Sequence, residues 1–427
     1  MTVQNKDVRI SRRSVLGLAA SLICSSRMTF AASGASKKRS LLGPRYQVVL
    51  WLGGGTDPIY TLDPKMRREV DSDVDIPYGP GDIVDNGSVH VGPHFAPLQS
   101  HLGSFSLLKG VRLDTANHVT GMAQIVRFRT RTGTRSPTLF DILGEKREQP
   151  LASAMIDAQS PVQHSSGYFG DGAPEFGAGQ TLFQLIDATD PGDFPLLART
   201  ARSHASSLST ADDGARAASD HILQVADLFE RLHRVSKFSP QTWADNNPIA
   251  QNMAVRLQRA LWLVENDLAR CVFVNVGGGL GWDSHSANVY TQTRMNGAFG
   301  LMFGRFLGEL SQRSNAFGTL ADNTFGVVGS EIGRFPRINA AKGKDHFPEA
   351  PFLFFGSHVN TRGGKGAVFG KTGKTMESLL ISLETGDASA GGHAIVLDDI
   401  GATMLALSGL NPEAHGYGGA VLKFLTT

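Results

Sequence analysis

Cysteine is nearly missing from this chain, with two in 427 residues, Cys24 and Cys271. Cys24 falls in a leader expected to be removed, so no intrachain disulfide can form and Cys271 reads as a core residue. Long apolar runs are missing as well. The run from Val15 to Ile23 has nine residues, whereas a bilayer core of ~30 Å needs about 20. Charge is sparse and balanced, with 41 Lys and Arg against 39 Asp and Glu. Without the five basic residues and one acidic residue of positions 1–35, the net charge of +2 becomes about −2. Nothing then points to nucleic acid or to an anionic membrane surface. The 49 glycines follow no Gly-X-Y period and there is no internal repeat. A hydrophobic fraction of 41% excludes a disordered chain, and the composition also excludes a coiled coil and a polytopic membrane protein. The length allows one large α/β domain or two to three smaller ones.

What is present begins with an export signal. Ser11-Arg12-Arg13-Ser14-Val15-Leu16 is a twin-arginine motif ahead of the short apolar core, and small residues from Thr29 to Ala35 supply cleavage sites. Residues 1–35 therefore read as a twin-arginine signal peptide, placing the mature protein in the periplasm or outside the cell, without a membrane span. This pathway moves folded chains, often with a metal or cofactor seated.

Residues 36–427 read as one α/β domain. The runs starting at Tyr46, Phe105, Cys271, Phe325 and Phe352 look like buried strands, several stopped by glycine. Amphipathic helices are expected over about 216–237 and 249–270, a further helix over about 287–312, and a last one near Asp398 as its N-cap. Strands alternating with helices predict a mostly parallel sheet with helices on both faces. Residues 63–95 read as a long loop, and about 150–215, rich in Ser, Gly and Asp, as an insertion.

Polar residues cluster just beyond these strands. Asp57 follows Gly53-Gly54-Gly55-Thr56, Asn117 and His118 follow the second strand, Asp283 and His285 follow the Cys271 strand, and Ser330, Glu331 and Arg334 follow the Phe325 strand. Asp345-His346 lies in the next loop. In an open parallel sheet the carboxyl ends of the strands share one edge, where ligands bind, so these residues are expected to converge. Asp57, Asp283, Glu331 and Asp345 would repel one another unless cations neutralise them. With His118, His285 and His346 beside them, the set suits zinc, manganese or iron, and calcium or magnesium if the histidines stay out. One or two ions are expected. Simpler readings stand beside these: Asp57 as an Asx-turn residue, Glu331 with Arg334 as a salt bridge, Asp345-His346 as surface residues. Gly53-Gly54-Gly55 is not a dinucleotide fingerprint.

The strings Leu52-Gly-Gly-Gly-Thr-Asp57, Gly281-Trp-Asp-Ser-His285, Ser330-Glu-Ile-Gly-Arg334 and Asp345-His346, in this order, resemble the exported family catalogued as domain of unknown function 1501. That family is similar to the alkaline phosphatase and sulfatase superfamily. The resemblance implies an alkaline phosphatase-like α/β sandwich with metal at the strand ends, and Asp57, Asp283, His285, Glu331, Asp345 and His346 as ligands. Phe347 stands where the family often has glycine, and Glu331 where the superfamily's enzymes usually show an Asp-His pair. No Cys-x-Pro-x-Arg string is present, which excludes a formylglycine sulfatase. Thr115-Ala116-Asn117-His118 resembles the Thr, Asn and His strings of phosphodiesterase relatives with a shorter Thr-to-Asn spacing. The implied function is an exported metal-dependent hydrolase of phosphate or sulfate esters, small or polymeric. Thr115 or a metal-bound hydroxide would attack, His118 would be catalytic, and Asn117 or Arg334 would hold the transferred group. The alternative is a non-catalytic exported binding or assembly protein on the same scaffold, with a co-exported partner.

Overall fold

The computed structural model describes residues 44–130, 138–144, 149–156, 189–208, 213–244 and 246–427, with Phe183, Ile186 and Asp187 between them. The leader at 1–35 and much of the segment read as an insertion lie outside the described residues. A seven-stranded sheet organises the rest. Its strands are β1 (Tyr46–Trp51), β2 (Phe105–Arg112), β3 (Leu151–Ile156), β4 (Ala269–Asn275), β5 (Thr324–Gly329), β6 (Glu349–Gly356) and β7 (Ala367–Phe369), in the order β7-β2-β6-β5-β1-β4-β3. β1 pairs in parallel with β4 and β5, β3 with β4, and β7 with β2. Only β6 runs the other way, antiparallel to both β2 and β5. The mostly parallel sheet expected from the sequence is thus present, and all five expected runs are in it.

Alternate side chains of the strands feed two cores. Val48 and Leu50 of β1 pack with Leu257 and Leu261 of α5 (Pro248–Glu265) and with Phe299 and Phe303 of α6 (Asn288–Gln312). Val49 and Trp51 pack on the opposite face with α1 (His118–Ile125), α2 (Leu139–Gly144) and α7 (Leu397–Leu407). α3 (Phe194–Leu208) and α4 (Asp213–Arg234) extend the first layer. Cys271 is buried in the second core.

Several expectations need correcting. An edge strand the sequence reading did not offer, β3, stands at Leu151–Ile156, where small residues and Ser153 break the apolar run. α5 ends at Glu265, because the chain must turn before β4 starts at Ala269. α7 starts at Leu397 with Val396 as its N-cap. Asp398 caps the distant Thr130 instead, accepting from its N–H at 2.6 Å and its hydroxyl at 2.8 Å. The Asp399 carboxylate serves this N-terminus, accepting the Val396 N–H at 2.9 Å. No helix among the described residues is long and apolar enough to cross a membrane.

Candidate metal centre

Four parallel strands deliver their following loops to one edge: β1 to Gly53–Asp57, β2 to Thr115–Asn117, β4 to Gly277–His285 and β5 to Ser330–Arg334. β6 runs the opposite way, so the residues before it, Asp345 and His346, reach the same edge. A two-residue ladder of Gly333 and Arg334 with Phe347 and His346 fixes that approach. Gly54, at φ +111°, lets the first turn lie against the third loop, since a Cβ there would sit 2.4 Å from the Asp283 N.

Here His118, Asp283, His285 and His346 each offer one ligand atom, and these atoms lie within 4.8 Å of one another. His285 Nε2 is 2.8 Å from His346 Nε2. His118 Nε2 is 3.7 Å from Asp283 Oδ2, and His285 Nε2 is 3.6 Å from Asp283 Oδ1. The His346 ring lies edge-on to His118 at 4.3 Å between centroids.

Each imidazole is held from behind. His118 Nδ1 is 2.7 Å from Glu331 Oε1, His285 Nδ1 is 3.2 Å from Asp345 Oδ1, and His346 Nδ1 is 2.6 Å from the Ala116 carbonyl. All three partners only accept, so each Nδ1 carries the hydrogen and each Nε2 of a neutral ring presents a lone pair. Two lone pairs facing each other at 2.8 Å repel unless a proton or a cation lies between them. His118 Nε2 is buried and has no hydrogen-bond partner.

The charges around the cluster are equally ordered. Burial works against protonation of His118, but Asp283 and Glu331 outweigh it and push the imidazole up to about 9. Burial also opposes ionisation of Asp283, yet His118 and Arg334 hold its carboxyl well below the usual carboxylate range. For His346, burial and the neighbouring cationic groups push the other way, below an ordinary histidine.

The remaining expected residues surround the four. Glu331, 1% exposed, accepts from Trp51 Nε1 at 2.7 Å, Gly54 N at 2.8 Å and His118 Nδ1, and Ser330 Oγ lies 3.0 Å away. Its carboxylate faces His118 rather than joining the four ligand atoms. Asp57 forms an Asx turn with Ile59 N at 3.1 Å, and its other oxygen meets Asn288 Nδ2 at 2.9 Å and Lys344 Nζ at 2.7 Å. Asp345 backs His285. Arg334 is buried, with its guanidinium on the carbonyls of Gly54, Gly55 and Lys344 and on Asp283 Oδ1 at 2.8 Å. Asn117 caps α1 through Thr120 N at 3.2 Å, and Thr115 Oγ1 accepts the Asn117 N–H at 3.2 Å.

Three supporting residues escaped the sequence reading. Gln292 accepts the Asp57 N–H and donates to the Gly55 and Trp282 carbonyls, tying two site loops to α6. Asn339 donates to the His285 carbonyl and to Asp345 Oδ1, both at 3.1 Å. Lys344 is the third. A signal existed for the first: Asn288, Gln292 and Asn296 recur at helical spacing on an otherwise apolar helix face.

Solved structures with similar architecture include the lipoteichoic acid synthase LtaP from Listeria monocytogenes, 10% identical, covering 90% of this chain and 76% of that one at a TM-score of 0.41. An alkaline phosphatase from the Antarctic bacterium TAB5 is 11% identical over 77% of this chain and 95% of its own, at 0.32. A protein in the alkaline phosphatase superfamily from Vibrio parahaemolyticus is 12% identical over 94% and 76%, at 0.35. No curated protein matches the chain. Residues 45–424 match the family described as "Protein of unknown function (DUF1501)", and the chain belongs to that family.

Proposed function

We propose that this chain is an exported metal-dependent hydrolase of phosphate or sulfate esters, with His118, Asp283, His285 and His346 as ligands of a divalent ion. The observation that supports it most is the 2.8 Å contact between His285 Nε2 and His346 Nε2, with every Nδ1 engaged on an acceptor. Outer partners of this kind fix tautomer and ring orientation around metals. The unpartnered Nε2 of His118 completes the fit. Three imidazoles and a carboxylate suit zinc, manganese or iron better than calcium or magnesium.

When bound, such an ion supplies Lewis acidity toward an ester oxygen. The chain's own groups do the rest. Glu331, Asp345 and the Ala116 carbonyl hold the three rings, and Arg334 neutralises Asp283 from beneath. Thr115, whose hydroxyl oxygen accepts the Asn117 N–H, or a water activated by the ion would supply the attacking oxygen. The twin-arginine leader supports export.

One observation favours the non-catalytic alternative. Arg334, expected to hold a transferred phosphoryl or sulfuryl, is already engaged with three backbone carbonyls and Asp283. Elemental analysis of the folded protein, with turnover of nitrophenyl phosphate and nitrophenyl sulfate, decides between the readings. We expect bound metal, loss of it in Asp283→Ala, and turnover that a chelator abolishes and Thr115→Ala lowers. Metal without turnover of either ester leaves the binding protein, and no metal above background overturns the centre.

A further inference from the structure

A second buried cation stands where the sequence leads one to expect a metal. Asp57 is wholly buried in the loop after β1, where an uncompensated carboxylate would be very costly. Its compensation is Lys344, itself wholly buried, with Nζ 2.7 Å from Asp57 Oδ2 and 3.3 Å from Asp75 Oδ2. The ammonium also lies 5.2 Å from the centre of the Tyr60 ring, a favourable face for a cation. Asn288 Nδ2 supplies a further donor to Asp57, and the Tyr60 hydroxyl lies 3.4 Å from Asp75 Oδ2.

Lys344 is held there by its backbone. Its N–H donates to the Ser284 carbonyl at 2.9 Å, between the two cluster residues Asp283 and His285. Its carbonyl accepts from Arg334 at 3.0 Å. Three consecutive residues therefore serve two charge centres: Lys344 points inward to Asp57, while Asp345 and His346 serve the histidine cluster. Arg334 meets Asp283 differently: it occupies Oδ1 at 2.8 Å, while Asp283, a third exposed, keeps Oδ2 toward His118. Both oxygens of wholly buried Asp57 are engaged, by the Ile59 N–H and by Asn288 with Lys344.

We propose that the Lys344 ammonium takes the place of a second cation, so that the centre holds one divalent ion per chain and Asp57 is not among its ligands. This rests on the metal centre proposed above. Saturating the full mature chain with zinc, removing the excess and counting ions by elemental analysis and native mass spectrometry tests it.

One equivalent is expected, unchanged in Asp57→Asn, because the Asp57 carboxylate meets Ile59 N, Asn288 and Lys344 and none of the four proposed ligands. Lys344→Met removes the ammonium while keeping much of its bulk. In folded Lys344→Met, saturated in the same way, Asp57 and Asp75 should then take up a second ion, giving two equivalents of zinc. If Lys344→Met does not fold, Asp57→Asn decides alone. Two equivalents in the unaltered chain, a loss of zinc in Asp57→Asn, or a folded Lys344→Met that stays at one equivalent each overturns the proposal and leaves the metal centre standing. Zero equivalents in the unaltered chain overturns the centre, and this proposal with it.

Discussion

Glu331→Gln separates a carboxylate that orients a ligand from one that is a ligand. The substitution keeps shape and removes one acceptor oxygen. In the native chain Oε1 accepts from Gly54 N and His118 Nδ1, while Oε2 accepts from Trp51 Nε1. Whichever way the new amide turns, its NH2 meets at least one N–H that had been satisfied. In a group 1% exposed no water can take over. A buried donor left without a partner costs about 1–3 kcal/mol, and losing a charge-assisted bond to His118 adds a comparable amount. We expect Glu331→Gln to lower the stability of the metal-free protein by about 2–5 kcal/mol in urea denaturation. Because His118 loses the group that fixes its tautomer, zinc affinity by competition with a chromophoric chelator should fall about 10–100-fold, while the ion count at saturation stays the same. Asp345→Asn is the control, since that carboxylate is largely exposed; it should weaken zinc with little effect on stability. Unchanged affinity in Glu331→Gln, or a reduced ion count at saturation, would refute the orienting role.

Two further outcomes follow from the same geometry. The His118 imidazole is raised from 6.5 to about 9 in the folded chain, so protonation contributes stability that is fully present below 6.5 and lost as pH rises through 9. Chelator-treated protein should therefore lose stability on that alkaline side, and His118→Gln should flatten the loss; equal pH slopes in the two proteins would contradict the assignment. Gly54→Ala should be destabilising by about 2–4 kcal/mol and should weaken zinc binding, because its Cβ would meet backbone of the Asp283 loop as well as require φ +111°. Native-like melting in that variant would show that the two loops do not pack as described.

Much of the architecture was legible because it is local. A run such as Tyr46–Trp51, apolar on both faces and stopped by glycine, can only be a covered strand, and parallel strands bring the residues after them to one edge. That is why Asp283, His285 and the residues near His118 could be grouped before any contact was known. Even the reversed β6 does not spoil the grouping, since its start, beside His346, faces that edge. β3 was missed because small residues and Ser153 break its apolar run, and β7 because three residues carry too little periodicity to separate strand from loop.

The division of labour among the acids was legible only in the Asx turn of Asp57 and the exposure of Asp345. Asp57, Asp283, Glu331 and Asp345 are chemically alike in the sequence, and each follows or precedes a strand. In the folded chain one faces Lys344, one sits among three imidazoles over Arg334, one is buried behind His118, and one lies exposed behind His285. Those outcomes depend on which cation or donor lies within about 3 Å, and the partners come from distant parts of the chain. The sequence by itself determined that acids and histidines would gather at one edge of a parallel sheet. Only the tertiary structure decided which of them keep a free electron pair for a metal, because electrostatic neutralisation acts through space over a few ångströms and has no signature in residue order.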